Sequence, residues 1–308
     1  MTDTKSIYRS FCQNHQVPLF HEAYWWDAVT DDWDVAMGRV DKDYIFFPFS
    51  IERKLHFRLI RNPHLTPYSG FIFSGNFSPQ LEEVLLLDLF KHLPECDYLN
   101  IDLRPEYQNN FPLPFNIQQK RTNLLTLRDP LEIFKDFKPS LQRQIRKAER
   151  NALKCRPAKH MDEFYQLYEK TFLKQKRKPP VEMLIFEKVG KLIQEKNCGQ
   201  ILVIEDQQQQ LHAAMILVYD HERAYYLSGG SDPQFYTQGG MSFLLWEAIQ
   251  ISCKLEKKYF DFEGSMIPQI DRFFKNFKGE EVSYRSIEKM NSGLFQTLQK
   301  IKNWMPHL

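Results

Sequence analysis

Between Ser228 and Ile249 the chain reads SGGSDPQFYTQGGMSFLLWEAI. A strand pattern ends at Ser228, a loop of small residues follows, and a helical pattern starts at Gly240 or Met241. The first turn of a helix leaves its N–H groups without intrahelical partners and carries partial positive charge. Glycine lets an anion approach that backbone closely. Gln238, Gly239, Gly240, Met241 and Ser242 are therefore candidates for holding an anion such as a pyrophosphate. Further on, YFDFEGS (259–265) sets Asp261 and Glu263 two residues apart in a strand pattern. Both carboxylates are expected on one face, with Phe260 and Phe262 on the other. Neighbouring like charges raise the proton affinity of one of them. Glu263, at the strand's end, is the candidate base or amine holder, with Asp261 beside it. Tyr226 and Ser228 share a face of AYYLSGGS (224–231), and either hydroxyl could supply a proton or bind a substrate.

The elements that must position these residues occur twice, in the same order. The first set is WDVAMGRV (33–40), YIFFPFSI (44–51), LHFRLI (55–60), a helix over 81–93 behind Pro79, then strands YLNIDLR (98–104) and NLLTLRD (123–129). The second is QILVIED (200–206), LHAAMILVYD (211–220), AYYLSGGS (224–231), a helix over 241–255, then YFDFEGS (259–265) and VSYRSIE (282–288). Period-two alternation marks the strands and 3.6-residue spacing the helices. Three antiparallel strands feeding a helix and a further strand is an α+β (α/β) layout with a mixed, mostly antiparallel sheet flanked by helices. A tandem duplication is read from this, with units over 1–130 and 131–308. Helices are expected between the copies over 141–153, 161–175 and 183–196. Each unit should close with its own last strand.

With 308 residues, 43% apolar and 26% charged, the chain is globular and long enough for two domains. Its net charge of +2 gives no global drive toward nucleic acid or membrane. A local exception is the basic run 138–156, with Lys138, Arg143, Arg146, Lys147, Arg150, Lys154 and Arg156 against Glu149. Lys174, Lys176, Arg177 and Lys178 add a second cluster. Such a patch suits phosphates, and otherwise is a solvated face. The five cysteines form no CxxC pair, which reads as free thiols in a reducing compartment. With no leader pattern and no spanning segment, a cytoplasmic location is expected. Histidine and cysteine spacing offers no metal set. Trp25, Trp26 and Trp33 read as core.

The QGGMS loop (238–242) in this element order resembles, in a shortened form, the Q-x-x-G-x-G/A loop of GNAT acyltransferases. The segment YFDFEGSMIPQIDRFFKNFKGE (259–280) resembles that of the Fem-type branch, which carries tandem GNAT units, as does the basic stretch 140–157. The resemblance implies transfer of an acyl group from a thioester or ester to an amine. Its donor would lie along the second unit's central strands, with the pyrophosphate on Gln238–Ser242. It also implies a hydroxyl acid at Tyr284, in the closing strand. The first copy lacks paired glycines at its helix start and is expected to hold no donor. The leading expectation is an N-acyltransferase using acyl-CoA (acetyl-CoA) as co-substrate, with no permanently bound cofactor. The alternatives are a Fem-type aminoacyltransferase using charged tRNA bound through region 138–156, and a catalytically silent ligand-binding protein.

Overall fold

A computed structural model describes residues 3–108, 111, 114–174, 176–264 and 267–304. In chain order its elements are α1 (Thr4–Asn14), α2 (Ala23–Val29), β1 (Trp33–Val40), β2 (Asp43–Lys54), β3 (Phe57–Arg61), β4 (Ile72–Phe73), α3 (Pro79–Lys91), β5 (Tyr98–Asp102) and β6 (Asn116–Thr126). Then come α4 (Pro130–Asp136), α5 (Pro139–Arg150), β7 (Lys154–Pro157), α6 (Met161–Leu173), α7 (Met183–Lys196), β8 (Gly199–Glu205), β9 (Leu211–Tyr219) and β10 (Arg223–Ser231). The chain ends with α8 (Gly240–Lys254), β11 (Tyr259–Asp261), α9 (Pro268–Phe274), β12 (Glu280–Met290) and α10 (Gly293–Trp304). No helix of the described residues is long and apolar enough to cross a membrane. Two expected element ends, Gln175 and Ser265, lie outside the described residues.

The chain divides into one unit of Met1–Lys120 with Ser283–Leu308, and a second of Arg121–Val282. This corrects the division at residue 130. In the first unit β1, β2 and β3 pair antiparallel in turn, and β5 runs parallel to β3. Its outer partner is β12, through Ser286–Met290 against Tyr98–Asp102. In the second unit β7, β8, β9 and β10 pair antiparallel, and β11 runs parallel to β10. Its outer partner is β6, through Leu124–Thr126 against Tyr259–Asp261. In each unit the strand beyond β5 or β11 is thus the one assigned from sequence to the other copy. A period-two pattern shows that a segment is a strand and which face is buried, and leaves its neighbour unspecified.

Apolar spacing explains the helices. In α5 Leu141, Ile145 and Ala148 are buried on one face, and the other face is charged. They join Leu244, Leu245, Ala248 and Ile249 of α8 in one core. Burying a leucine or isoleucine side chain contributes about 1.5–3 kcal/mol. In the first unit Leu85, Leu86 and Leu89 of α3 are fully buried against the sheet. Gly38 permits this approach, since a Cβ there would stand 2.2 Å from the Leu85 carbonyl oxygen. Trp25 and Trp26 are fully buried and Trp33 nearly so, as core residues.

Candidate active site

The second unit contains a parting of strands. β10 pairs with β11 only through Arg223–Tyr225 against Tyr259–Asp261. Beyond that point β10 continues to Ser231 while still paired on its other side to β9. A register shift between Tyr226 and Ser228 bulges β10 at this place, which bends a strand and re-aims its side chains. On the other side the backbone turns sharply after Asp261. Glu263 has φ +54° and Gly264 φ +38°. A Cβ on Gly264 would lie 2.1 Å from the Arg121 carbonyl oxygen, so only glycine fits against β6 there.

This turn breaks the alternation expected to put Asp261 and Glu263 in equivalent positions. Asp261 is fully buried and tied down. Its Oδ1 accepts from Thr122 Oγ1 at 2.5 Å and from the Glu263 backbone N–H at 2.8 Å, and its Oδ2 faces Arg223 at 3.4 Å. These bonds fix the Asp261 carboxyl in place and tie the loop to it. Glu263 differs. Its Oε1 is buried and has no hydrogen-bond partner among the described residues. Burial, and then the charge of Asp261, push its pKa well above the usual carboxylate range.

Tyr226 is adjacent. Its ring packs edge-on against Phe274, with centroids 5.6 Å apart. Its hydroxyl lies over Gly229, where a Cβ would be 2.2 Å from the phenol oxygen. Burial, then the Glu263 carboxylate, raise the Tyr226 pKa, so the phenol keeps its proton at neutral pH. Ser228 is half-buried on the stretch of β10 that has left β11. Tyr284 belongs to the first unit, where its ring meets Tyr68 at 5.2 Å. The structure therefore brings Glu263, Asp261 and Tyr226 together, and assigns Tyr284 to the first unit rather than to the second as expected.

The N-terminal end of α8 is closed. Gly239, at φ +82°, and Gly240 are buried. A Cβ on Gly239 would lie 2.4 Å from the Gln144 carbonyl oxygen, and one on Gly240 would lie 3.0 Å from His212 Cβ. Ser242 Oγ bonds Gln144 Oε1 at 2.6 Å, and Gln238 Oε1 accepts from Asn151 at 2.6 Å. Met241 is half-buried and packs on the core. Gly239 serves the close approach of α5 to α8 and Gly240 that of β9 to α8, and the residues present do not fit a pyrophosphate there. The sequence shows glycines at a helix start, and nothing local shows that another helix will occupy the space.

Four site residues escaped the sequence reading. Thr122 and Arg223 are the partners of Asp261 and lie 139 and 38 positions away, with no local signal. Gly229 and Gly230 could have been noticed, because glycines inside a strand mark a close approach. At Gly230 a Cβ would come within 2.4 Å of the Leu167–Tyr168 peptide of α6. In the first unit the matching space beyond β3 and β5 is filled. Ser69 bridges Leu103 in parallel, and Thr66, Tyr68, Ser69 and Phe71 are buried there.

Residues 135–275 match the family model described as an acetyltransferase (GNAT) domain. That match lies within the second unit. Along its whole length the chain has the fold of FemX, with a TM-score of 0.68 at 12% identity over 96% of this chain and 98% of that chain. L-PGS from Bacillus licheniformis superimposes with a TM-score of 0.59 at 10% identity, covering 96% of this chain and 95% of that one. A conserved protein of unknown function from Bacteroides thetaiotaomicron gives 0.53 at 11% identity, over 93% and 98%. At such identities the likeness is one of fold, and the fold is that of a Fem-type tandem GNAT protein. No curated protein sequence matches the chain.

Proposed function

We propose that the second unit transfers an acyl group to an amine at the parting of β10 and β11. The observation that carries this reading is a buried, unpartnered Glu263 oxygen beside the protonated Tyr226 phenol. In the reaction the amine nitrogen forms a bond to the carbonyl carbon of the donor ester. Glu263, once ionised, takes the proton released by that amine. The bond from the carbonyl carbon to the carrier oxygen breaks, and Tyr226 protonates the departing oxygen. A general base works best when its pKa lies near the working pH, and burial moves Glu263 in that direction. Asp261 serves as a positioning residue, bonding the Glu263 amide.

The closed end of α8 favours an aminoacyl ester carried by tRNA over acyl-CoA as donor. The outer face of α5 supports the same choice. Arg143, Arg146 and Arg150 are exposed there, with Lys154 beyond, and among the described residues none forms an ion pair. Arg146 instead lies over the Phe134 ring at 5.6 Å. Arg156 is the exception in this run. It is held by Glu163 at 2.8 Å and Glu205 at 2.7 Å, and is structural.

The test titrates the full chain with aminoacyl-tRNA over a range of salt, and in parallel follows thermal unfolding with acetyl-CoA. Binding of tRNA should weaken steeply with salt. The log–log slope should become shallower by about 0.9 for each phosphate that the variants Arg143→Gln and Arg150→Gln no longer neutralise. Transfer of the aminoacyl group to an added amine should vanish in Glu263→Gln while tRNA binding persists. Stabilisation by acetyl-CoA without tRNA binding would overturn the donor assignment. Undiminished transfer by Glu263→Gln would overturn the site.

A further inference from the structure

The first unit contains a cavity of about 490 Å³ at the edge where β3 and β5 begin and β12 ends. This edge is the opposite one from the segment that fills the space beyond β3 and β5. Phe90 and Leu99 give it an apolar lining, and Arg58, Glu95, Asp97 and Lys289 bring charges to it. None of these four forms an ion pair with a protein group among the described residues. The Nε of Arg58 is buried and has no hydrogen-bond partner among the described residues. Asp97 uses Oδ2 to accept the Arg58 backbone N–H at 2.8 Å. Two cations and two anions thus line one cavity without pairing with each other. A buried guanidinium N–H without an acceptor is costly, and the guanidinium fork matches a carboxylate.

We propose that this cavity binds a zwitterion with an apolar side chain, a short peptide with free α-ammonium and α-carboxylate groups. Arg58 and Lys289 receive the carboxylate, Asp97 and Glu95 receive the ammonium, and the apolar lining takes the side chains. Its volume lies within the range of about 300–1,000 Å³ usual for small-molecule sites. The proposal concerns the first unit alone and stands apart from acyl transfer.

The test is calorimetric titration of the full chain with L-phenylalanyl-L-leucine, its N-acetyl form and its C-terminal amide. The dipeptide should bind, and each blocked form should bind about tenfold to a hundredfold more weakly, the range for losing a hydrogen bond to a charged group. Arg58→Gln should reproduce the loss seen with the amide. The exposed Glu95 allows a second variant, Glu95→Gln, that leaves the fold intact and should weaken the dipeptide more than its N-acetyl form. Amide chemical shifts around Cys96 and Asn291 should move with the dipeptide. Equal binding of all three peptides, no binding of any, or binding that leaves those shifts unmoved would each overturn the proposal.

Discussion

Replacing Glu263 with glutamine should remove a loss of stability that grows as the pH rises. The carboxyl has a buried oxygen with no partner among the described residues and faces the charge of Asp261, so its folded pKa is raised. A carboxyl with a raised folded pKa keeps its proton in the native state over a pH range where the unfolded chain has lost it. Stability therefore falls as pH climbs from the unfolded value of about 4.3 through the folded pKa, by ~1.36 kcal/mol for each pH unit in that window. Glutamine does not titrate. It also leaves polar atoms to be satisfied, at a cost of about 1–3 kcal/mol, but that cost does not vary with pH. The slope is thus the readout, and the offset is not. Urea unfolding of both proteins at steps between about pH 5 and 8 should give curves that diverge, a visible effect against total stabilities of about 5–15 kcal/mol. Parallel pH profiles for the two proteins would refute the reasoning, because Glu263 would then titrate like an exposed carboxylate.

Gly239→Ala should destabilise by about 2 kcal/mol or more in denaturant unfolding, since φ +82° costs an L-residue ~1–2 kcal/mol and the new Cβ meets the Gln144 carbonyl. Arg156→Ala should cost about 1–3 kcal/mol at neutral pH by stranding Glu163 and Glu205. The Arg156 hydrogen bonds lower the Glu163 pKa, so this difference should shrink as pH falls through the folded carboxylate pKa, as urea midpoints will show. Ending the chain at Val282 removes β12, and with it the strand that covers Tyr98–Asp102. Hydrogen exchange should find the β5 amides that bond β12 unprotected, with β8 and β9 unaffected.

The local parts of this fold were legible in the sequence. β1 and α7 fall where the apolar pattern puts them, at Trp33–Val40 and Met183–Lys196. A run such as LHAAMILVYD can hardly be anything but a buried strand. The misses all depend on residues distant in the chain. VSYRSIE reads as a strand, but its pairing with β5 depends on a neighbour 186 positions away at Asn100. Gly239 reads as an open helix start until α5 is packed upon it. Asp261 and Glu263 look equivalent in the one-dimensional pattern. They separate because Thr122 and Arg223 bind one of them, and a left-handed residue turns the chain at the other. The FDFEG segment carries this turn, which needs glycine at Gly264.

The exchange of closing strands also sets a timetable for biosynthesis. The second unit has all its strands once the ribosome has passed Val282, whereas the first, begun earlier, still waits for its last one. At ~5–20 residues per second, β5 stays a bare edge for about 10–40 s of synthesis after its own strand has emerged. An unpaired edge invites pairing with other nascent chains. The N-terminal half of this protein is therefore the part left open to such pairing during synthesis.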